Sequence, residues 1–360
     1  MILLNFSVYG FRNLVEQTLS FEKGLQVFVG LNAQGKTNFL EAIYTLLAGR
    51  SFRPVEDSDM VQDGAIGFRL SGRAERKDGE AKLILVYDKA KKEKTVEVNS
   101  QPLKRIIDLW GEAKVVAFSP QDVQLIKGPP SLRRQFINKF LGQSSPLYRF
   151  NLLRFSLALK QRNALLKRIS RGEREESLNA WEEAFVNFGQ KVVEERAEKI
   201  ERLSLKVGYL FEQIGIGGKK VTISYRPSSQ DLNKDISLYR SKEVFQGISL
   251  FGPHLDELEI FLNGKEAKFY ASEGEMRSIS LAIKLAEWES IKEETGEEPL
   301  LVLDDALSDL DERRQVALLS LVSSYPQAFL SLVSLKFLPD PFLNKAEVYH
   351  VQAGQARKGA

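Results

Sequence analysis

A phosphate-binding loop constrains the fold of this chain more than any other feature. Gly30, Leu31, Asn32, Ala33, Gln34, Gly35, Lys36 and Thr37 match G-x-x-x-x-G-K-[ST]. Such a loop needs a buried strand before it and a helix after it, and both patterns are present. Leu25 to Val29 is an apolar run, and Thr37 to Leu47 carries apolar residues at helical spacing. The glycines let the backbone turn its N–H groups inward around phosphate oxygens, where the positive end of the helix adds to the anion site. Lys36 can then reach the β- and γ-phosphates, and the Thr37 hydroxyl can take a place on Mg²⁺. ATP and Mg²⁺ are therefore the expected ligands.

A second motif supports the first. Leu300 to Leu303 form an apolar strand that ends in Asp304 and Asp305. Asp304 is placed to hold Mg²⁺, directly or through water, and Asp305 to orient an attacking water as general base. Most of the chain separates Lys36 from Asp304, whereas RecA-like and AAA+ ATPases keep the two motifs much closer. A long insertion between them is the habit of ABC-type heads. Ser272 and Gly274 open a helix just ahead of the acidic strand and resemble the ABC signature, which in that class faces the γ-phosphate held by another subunit. Ser308, Asp309, Leu310 and Asp311 resemble the D-loop of the dimer seam.

Ile66 to Val98 reads as a β-meander turning at Asp78 and Gly79, and Lys114–Phe118 as a further strand. The pattern from Ser131 to Glu212 is helical. Strand signals return near Lys219, in a hairpin Glu257–Phe269 about Asn263 and Gly264, and at Ala328–Val333. The expected fold class is α/β: an ABC-type P-loop NTPase head of mixed sheets with helices at 1–122 and 214–360, with an inserted α-helical arm at 123–213. After Val351 the reading is a short polar C-terminus.

Composition excludes several alternatives. The 360 residues contain no cysteine, which removes disulfides and thiolate zinc sites, and two histidines are too few for a histidine-rich metal centre. No apolar stretch reaches the roughly 18 residues of a membrane span, and the first residues lack signal-peptide features. A cytoplasmic protein with no membrane partner is expected.

Between Val123 and Gly172 there are eleven lysines and arginines and no acid. One reading pairs this segment with the glutamate-rich stretch Glu173–Arg202 as an antiparallel arm with cross-helix salt bridges. The other makes Arg154, Lys160, Arg162, Lys167 and Arg168 a phosphate-binding face for nucleic acid. Both can hold at once.

Several runs extend the likeness to one family. They are Gly10 to Asn13, Gln34 to Ile43, Gly49 to Arg53, Phe118 to Asp122, Lys127 to Arg134, Gly252 to His254, and Leu303 to Asp311. Together they resemble the RecF family along nearly the whole chain. That resemblance implies an SMC-like head with a short arm, slow switch-type ATP hydrolysis and an ATP-bound homodimer on double- and single-stranded DNA. It also implies work with RecR, RecO and RecA at gaps during recombinational repair and replication restart. By the same match Arg12 is like an arginine that approaches the nucleotide, and Gln121 is the Q-loop residue. The chain departs from the family at Gln121, where an acid is usual, at Leu255, where arginine is usual, and in its Glu273-flanked signature. The last strand lacks a sensor histidine, which leaves Ser331 or Ser334 in that place. The rival readings are an ABC transport ATP-binding subunit, which predicts a membrane partner, and another SMC-like ATPase, which predicts long heptad arms.

Overall fold

The structure is a computed structural model that describes residues 1–172, 178–215, 218–308 and 310–359. It divides into two compact units. The first comprises Met1–Val123, Tyr209–Gly218 and Ser272–Ala360; the second comprises Gln124–Gly208 and Lys219–Ala271.

Two six-stranded sheets build the first unit. One runs β2 (Gln17–Ser20), β1 (Ile2–Tyr9), β4 (Gly67–Arg76), β5 (Gly79–Asp88), β6 (Glu93–Val98) and β7 (Gln101–Pro102), antiparallel throughout. Its alternating sequence has one buried face: Phe68, Leu70, Gly72 and Ala74 point inward along β4, with more exposed residues between them. The other runs β15 (Gln355–Lys358), β14 (Ala346–Gln352), β3 (Gly24–Val29), β13 (Gln327–Leu332), β12 (Leu300–Leu303) and β8 (Val115–Phe118). All are parallel except β15. Parallel strands covered on both faces read as continuous apolar runs, and β8, β12 and β13 are buried along their whole length.

The helix Lys36–Ala48 lies in the core between these sheets. Its Phe39, Leu46 and Leu47 pack with Leu70, Leu83 and Leu85 of the antiparallel sheet and with Phe28, Val115 and Phe329 of the parallel one. Phe28 stacks on Phe39 with ring centroids 5.5 Å apart. Burying one such ring contributes about 1.5–3 kcal/mol, so the helix is anchored along its length. Its first turn consequently stays fixed at the carboxyl ends of β3, β12 and β13, the edge where open parallel sheets place ligands.

The inserted segment differs from the expected 123–213. Val221–Arg226 (β9) and Glu257–Leu262 (β10) pair antiparallel, with the short β11 (Lys265–Glu266) beside them, and join neither large sheet. Arg133 binds Glu257 at 2.7 Å, and Arg196 binds Asp256 at 2.8 Å, which ties this small sheet to helices Pro130–Ser144 and Leu178–Gln213. The insertion is therefore an α/β unit that takes in Lys219–Ala271, including a helix at Leu232–Gln246 that its weak periodicity had concealed. The hairpin expected to Phe269 is also shorter, because Ala267–Tyr270 turns into helix. The C-terminus, expected to be a polar tail, is the β14–β15 hairpin.

Candidate functional site

The phosphate loop leaves β3 and enters its helix through left-handed backbone at Ala33 (φ 64°) and Gly35 (φ 111°). Its two motif glycines are also required by space. A Cβ on Gly30 would lie 2.3 Å from the Val351 carbonyl oxygen, and one on Gly35 would crowd Asn13 and Gly354 at 3.3 Å. The C-terminal hairpin braces the loop directly, since the amides of Ala353 and Gly354 donate to the side-chain and backbone oxygens of Gln34 at 2.8 and 2.9 Å. Leu31 is exposed at the loop's crest.

Lys36 is buried and donates to the carbonyls of Gly30 and Leu31 at 2.7 and 2.8 Å. Burial pushes its pKa below the ordinary lysine value, against the pull of Asp304 and Asp305. Beside it, the hydroxyls of Thr37 and Ser331 both donate to Asp304 Oδ1 at 2.8 Å. Burial raises the Asp304 pKa, and these two hydrogen bonds oppose that rise. Thr37 and Asp304 thus present converging hard oxygens, the donor set that suits Mg²⁺ completed by phosphate oxygens and water. Asp305 adopts left-handed backbone (φ 51°), and its amide donates to Ser331 Oγ at 2.9 Å. Its carboxylate is 45% exposed and stands 3.7 Å from Arg277. Strained backbone of this kind costs on the order of 1–3 kcal/mol and persists where the surroundings over-determine it.

These groups line one cavity of about 370 Å³, together with Asn32, Ala33, Gly35, Asn38, Arg53, Pro120 and Val333. The structure brings Lys36, Thr37, Asp304 and Asp305 together there. Of the two serines considered for the sensor position, Ser331 lines the cavity, whereas Ser334 caps the short turn Leu335–Phe337. Asn38 and Arg53 were not singled out as site residues. Asn38 lies in the run Gln34 to Ile43, and Arg53 ends the run Gly49 to Arg53, which returns the chain to the phosphate loop after its helix.

Seven expected residues stand outside the cavity lining: Gly30, Leu31 and Gln34 of the loop itself, and Arg12, Gln121, Ser272 and Gly274. Arg12 is bound bidentately to Glu41 at 2.9 and 3.0 Å. Gln121 is exposed in the turn Pro120–Val123, while its neighbour Asp122 folds back to accept the Ser119 amide at 2.7 Å. Ser272 caps the helix Glu273–Thr295 in a capping box with Glu275, and a Cβ on Gly274 would meet nothing within 4 Å. The signature end is thus an open helix N-terminus. Arg277, one turn along, donates to the Asp305 carbonyl at 3.1 Å and to Ser308 at 3.2 Å, tying that helix to the acidic loop. Asp309 of the expected D-loop lies outside the described residues, as do residues 173–177 of the glutamate-rich stretch.

The basic helix Pro146–Ile169 requires one correction. Arg154, Lys160, Lys167 and Arg168 are exposed, but Arg162 is fully buried. It donates to Glu243 at 2.7 Å, Glu182 at 3.0 Å and Ser249 at 2.7 Å. No nucleic-acid phosphate can reach it. Its charge neutralises buried carboxylates that would otherwise be very costly.

Residues 2–349 match the RecF/RecN/SMC N-terminal domain family. The DNA replication and repair protein RecF of Enterococcus faecalis is 35% identical over 376 residues, covering 100% of each chain. A solved structure of the recombination mediator protein RecF with ATP, from the RecFOR pathway, has a TM-score of 0.90 at 30% identity and covers 100% of this chain and 98% of that one. An Smc head domain from Pyrococcus furiosus, solved with the C-terminal domain of ScpA, shares the fold at TM-score 0.56 and 16% identity, covering 99% and 96%. With the phosphate cradle, the acidic strand end and the inserted arm all in place, and likeness running from end to end, the chain belongs to the RecF family.

Proposed function

We propose that this protein is a Mg²⁺-dependent ATPase of the cytoplasm that closes as an ATP-bound homodimer on DNA and opens after hydrolysis. In this reading it serves recombinational repair and replication restart, helping RecR and RecO to load RecA at gapped DNA. The observation that carries it is the incompleteness of the site. Lys36, Thr37, Asp304 and Asp305 line the cavity, while among the described residues Ser272 and Gly274 do not. The helix end that would face a γ-phosphate is open beside Gly274, and in this reading a second copy brings its nucleotide there.

The chemistry follows from the side chains. Lys36 exchanges its two carbonyl partners for the β- and γ-phosphate oxygens. Thr37 and Asp304 would hold Mg²⁺, which would supply charge neutralisation on those oxygens. Asp305, half-exposed and held by its amide, would orient water for attack on the γ-phosphorus and take its proton, as the bond from that phosphorus to the bridging oxygen breaks and ADP leaves. Arg154, Lys160, Lys167 and Arg168 offer cations to a DNA backbone.

The test is DNA binding by the purified protein with and without ATP across a salt series. The expected result is tighter binding with ATP and a log–log salt slope that corresponds to several neutralised phosphates. Affinity that ignores ATP would overturn the clamp.

A further inference from the structure

Glu41 lies on the buried face of the phosphate-loop helix, and its side chain is 0% exposed. A carboxylate so placed is costly unless fully paired. Arg12 Nε and NH2 donate to its two oxygens at 3.0 and 2.9 Å, and Ser51 Oγ adds a third bond at 2.6 Å. Arg53 NH1 stands 3.5 Å from Oε2.

The two arginines are held unequally. Arg12 has both forks committed, because its remaining NH1 donates to the Asp59 carbonyl at 2.8 Å. Its backbone is locked as well, in the left-handed region (φ 51°) with its amide on the Met60 carbonyl at 2.8 Å. Arg53 has the longer approach to Glu41, one bond from NH2 to Asn38 Oδ1 at 3.2 Å and a place 6.0 Å from the Phe52 ring centroid, and it lines the phosphate cavity. One carboxylate therefore meets two guanidinium charges. Arg12 satisfies it, and the surplus positive charge faces the cavity through Arg53. A guanidinium fork binds phosphate oxygens well only when its direction is fixed beforehand.

We propose that Glu41 is a positioning residue, which with Arg12 forms the fixed base that aims Arg53 at the terminal phosphate of the bound nucleotide. This role rests on the nucleotide reading above and adds to it the residue that distinguishes ATP from ADP. It separates Glu41 from a merely structural carboxylate, because its effect has to pass through Arg53.

Equilibrium binding of fluorescent ATP and ADP, with Mg²⁺, tests it on wild type, Glu41→Gln, Arg53→Ala and the double variant. Arg53→Ala is expected to cut the preference for ATP over ADP about tenfold, the value of one charge-assisted bond. Glu41→Gln is expected to cut it similarly, to leave ADP affinity within about twofold, and to add nothing in the double variant. Should thermal melting show that Glu41→Gln does not fold, Glu41→Asp serves instead. It keeps the charge, draws the carboxylate back by one methylene, and is expected to lose preference in the same direction. Unchanged preference in the folded Glu41 variant, or additive losses in the double, would overturn the positioning role alone. A wild type that binds neither nucleotide would overturn the nucleotide reading, and this role with it.

Discussion

Thr37 Oγ1 donates to Asp304 Oδ1 at 2.8 Å, joining the first turn of the phosphate-loop helix to the end of β12. Ser331 Oγ donates to the same oxygen at the same distance. The carboxylate is thereby aimed before any ligand arrives, although burial raises its pKa above 3.8. A folded pKa above the unfolded one means that the native state binds more protons in that interval. Ionised Asp304 therefore costs stability above its folded pKa, and the cost fades as pH falls toward 3.8.

Asp304→Asn keeps an oxygen for both hydroxyls and removes the charge. In the nucleotide-free protein at pH 7.5, its urea midpoint should lie above that of wild type. The gap should close on acidification, while Mg²⁺-dependent ATP turnover falls by at least about a hundredfold. A midpoint at or below wild type at pH 7.5 would show that burial does not penalise this carboxylate.

Much of this site was legible because its motifs are local. Gly30 to Thr37 and Leu300 to Asp305 each place their chemistry on a short strand–loop segment whose period is clear. What stayed hidden depends on distant partners. The Arg53 guanidinium joins the cavity only because the chain folds back after Ala48, and Gly354 braces the loop from the far end of the sequence. The helix Leu232–Gln246 went unread because exposed Leu238 and Phe245 spoil its apolar periodicity. The insertion boundary was missed for a related reason: β9 and β10 are ordinary amphipathic strands, and nothing local states which sheet they join.

The basic helix separates into two kinds of cation, and reversal mutants should behave oppositely. Arg162→Glu sets a third carboxylate against Glu182 and Glu243, and breaking such a buried pair costs about 3–5 kcal/mol even before the added repulsion. That variant should lose the cooperative unfolding of the second unit. Lys167→Glu with Arg168→Glu changes exposed positions, so its stability should stay within about 1 kcal/mol of wild type. Its DNA affinity should fall, with the log–log salt slope flattening by about one for each phosphate the protein no longer neutralises. A folded double reversal with unchanged slope would place the DNA path elsewhere.

His254 gives the second unit an acid-sensitive point. Burial lowers its pKa to about 4, against a pull upward from Asp256, while Arg134 and Arg162 add to the lowering. Its ring lies 6.0 Å from Phe155 and 6.3 Å from Phe185. The unfolded chain takes up a proton near pH 6.5 and the native ring only near pH 4, so stability present above 6.5 is lost as pH falls between these values. The loss amounts to about 3 kcal/mol. His254→Phe suits an aromatic cluster and removes the proton, so the difference between variant and wild type should widen steadily from about pH 7 to about pH 4.5 in urea titrations. Parallel curves for the two proteins would mean that the ring stays solvated in the native state.

The open end of the signature helix gives the most discriminating prediction. Ser272 satisfies its own helix through the capping box, and Gly274 leaves space beside it. In the proposed clamp each chain contributes one phosphate cradle and one such end, so two chains related by a two-fold axis would complete two sites at once in a closed, isologous dimer. ATP would then join the halves, and hydrolysis would remove the phosphate facing the helix end. Ser272→Arg places a long cation at that seam and leaves Lys36 and Thr37 of the same chain untouched. It should bind ATP yet remain monomeric and inactive. Asp305→Asn alters only the group that orients water, so it should bind ATP and accumulate as a dimer. Light scattering on both variants with and without ATP separates these outcomes. A dimer indifferent to nucleotide, or a monomer that hydrolyses ATP at the full rate, would eliminate the composite site.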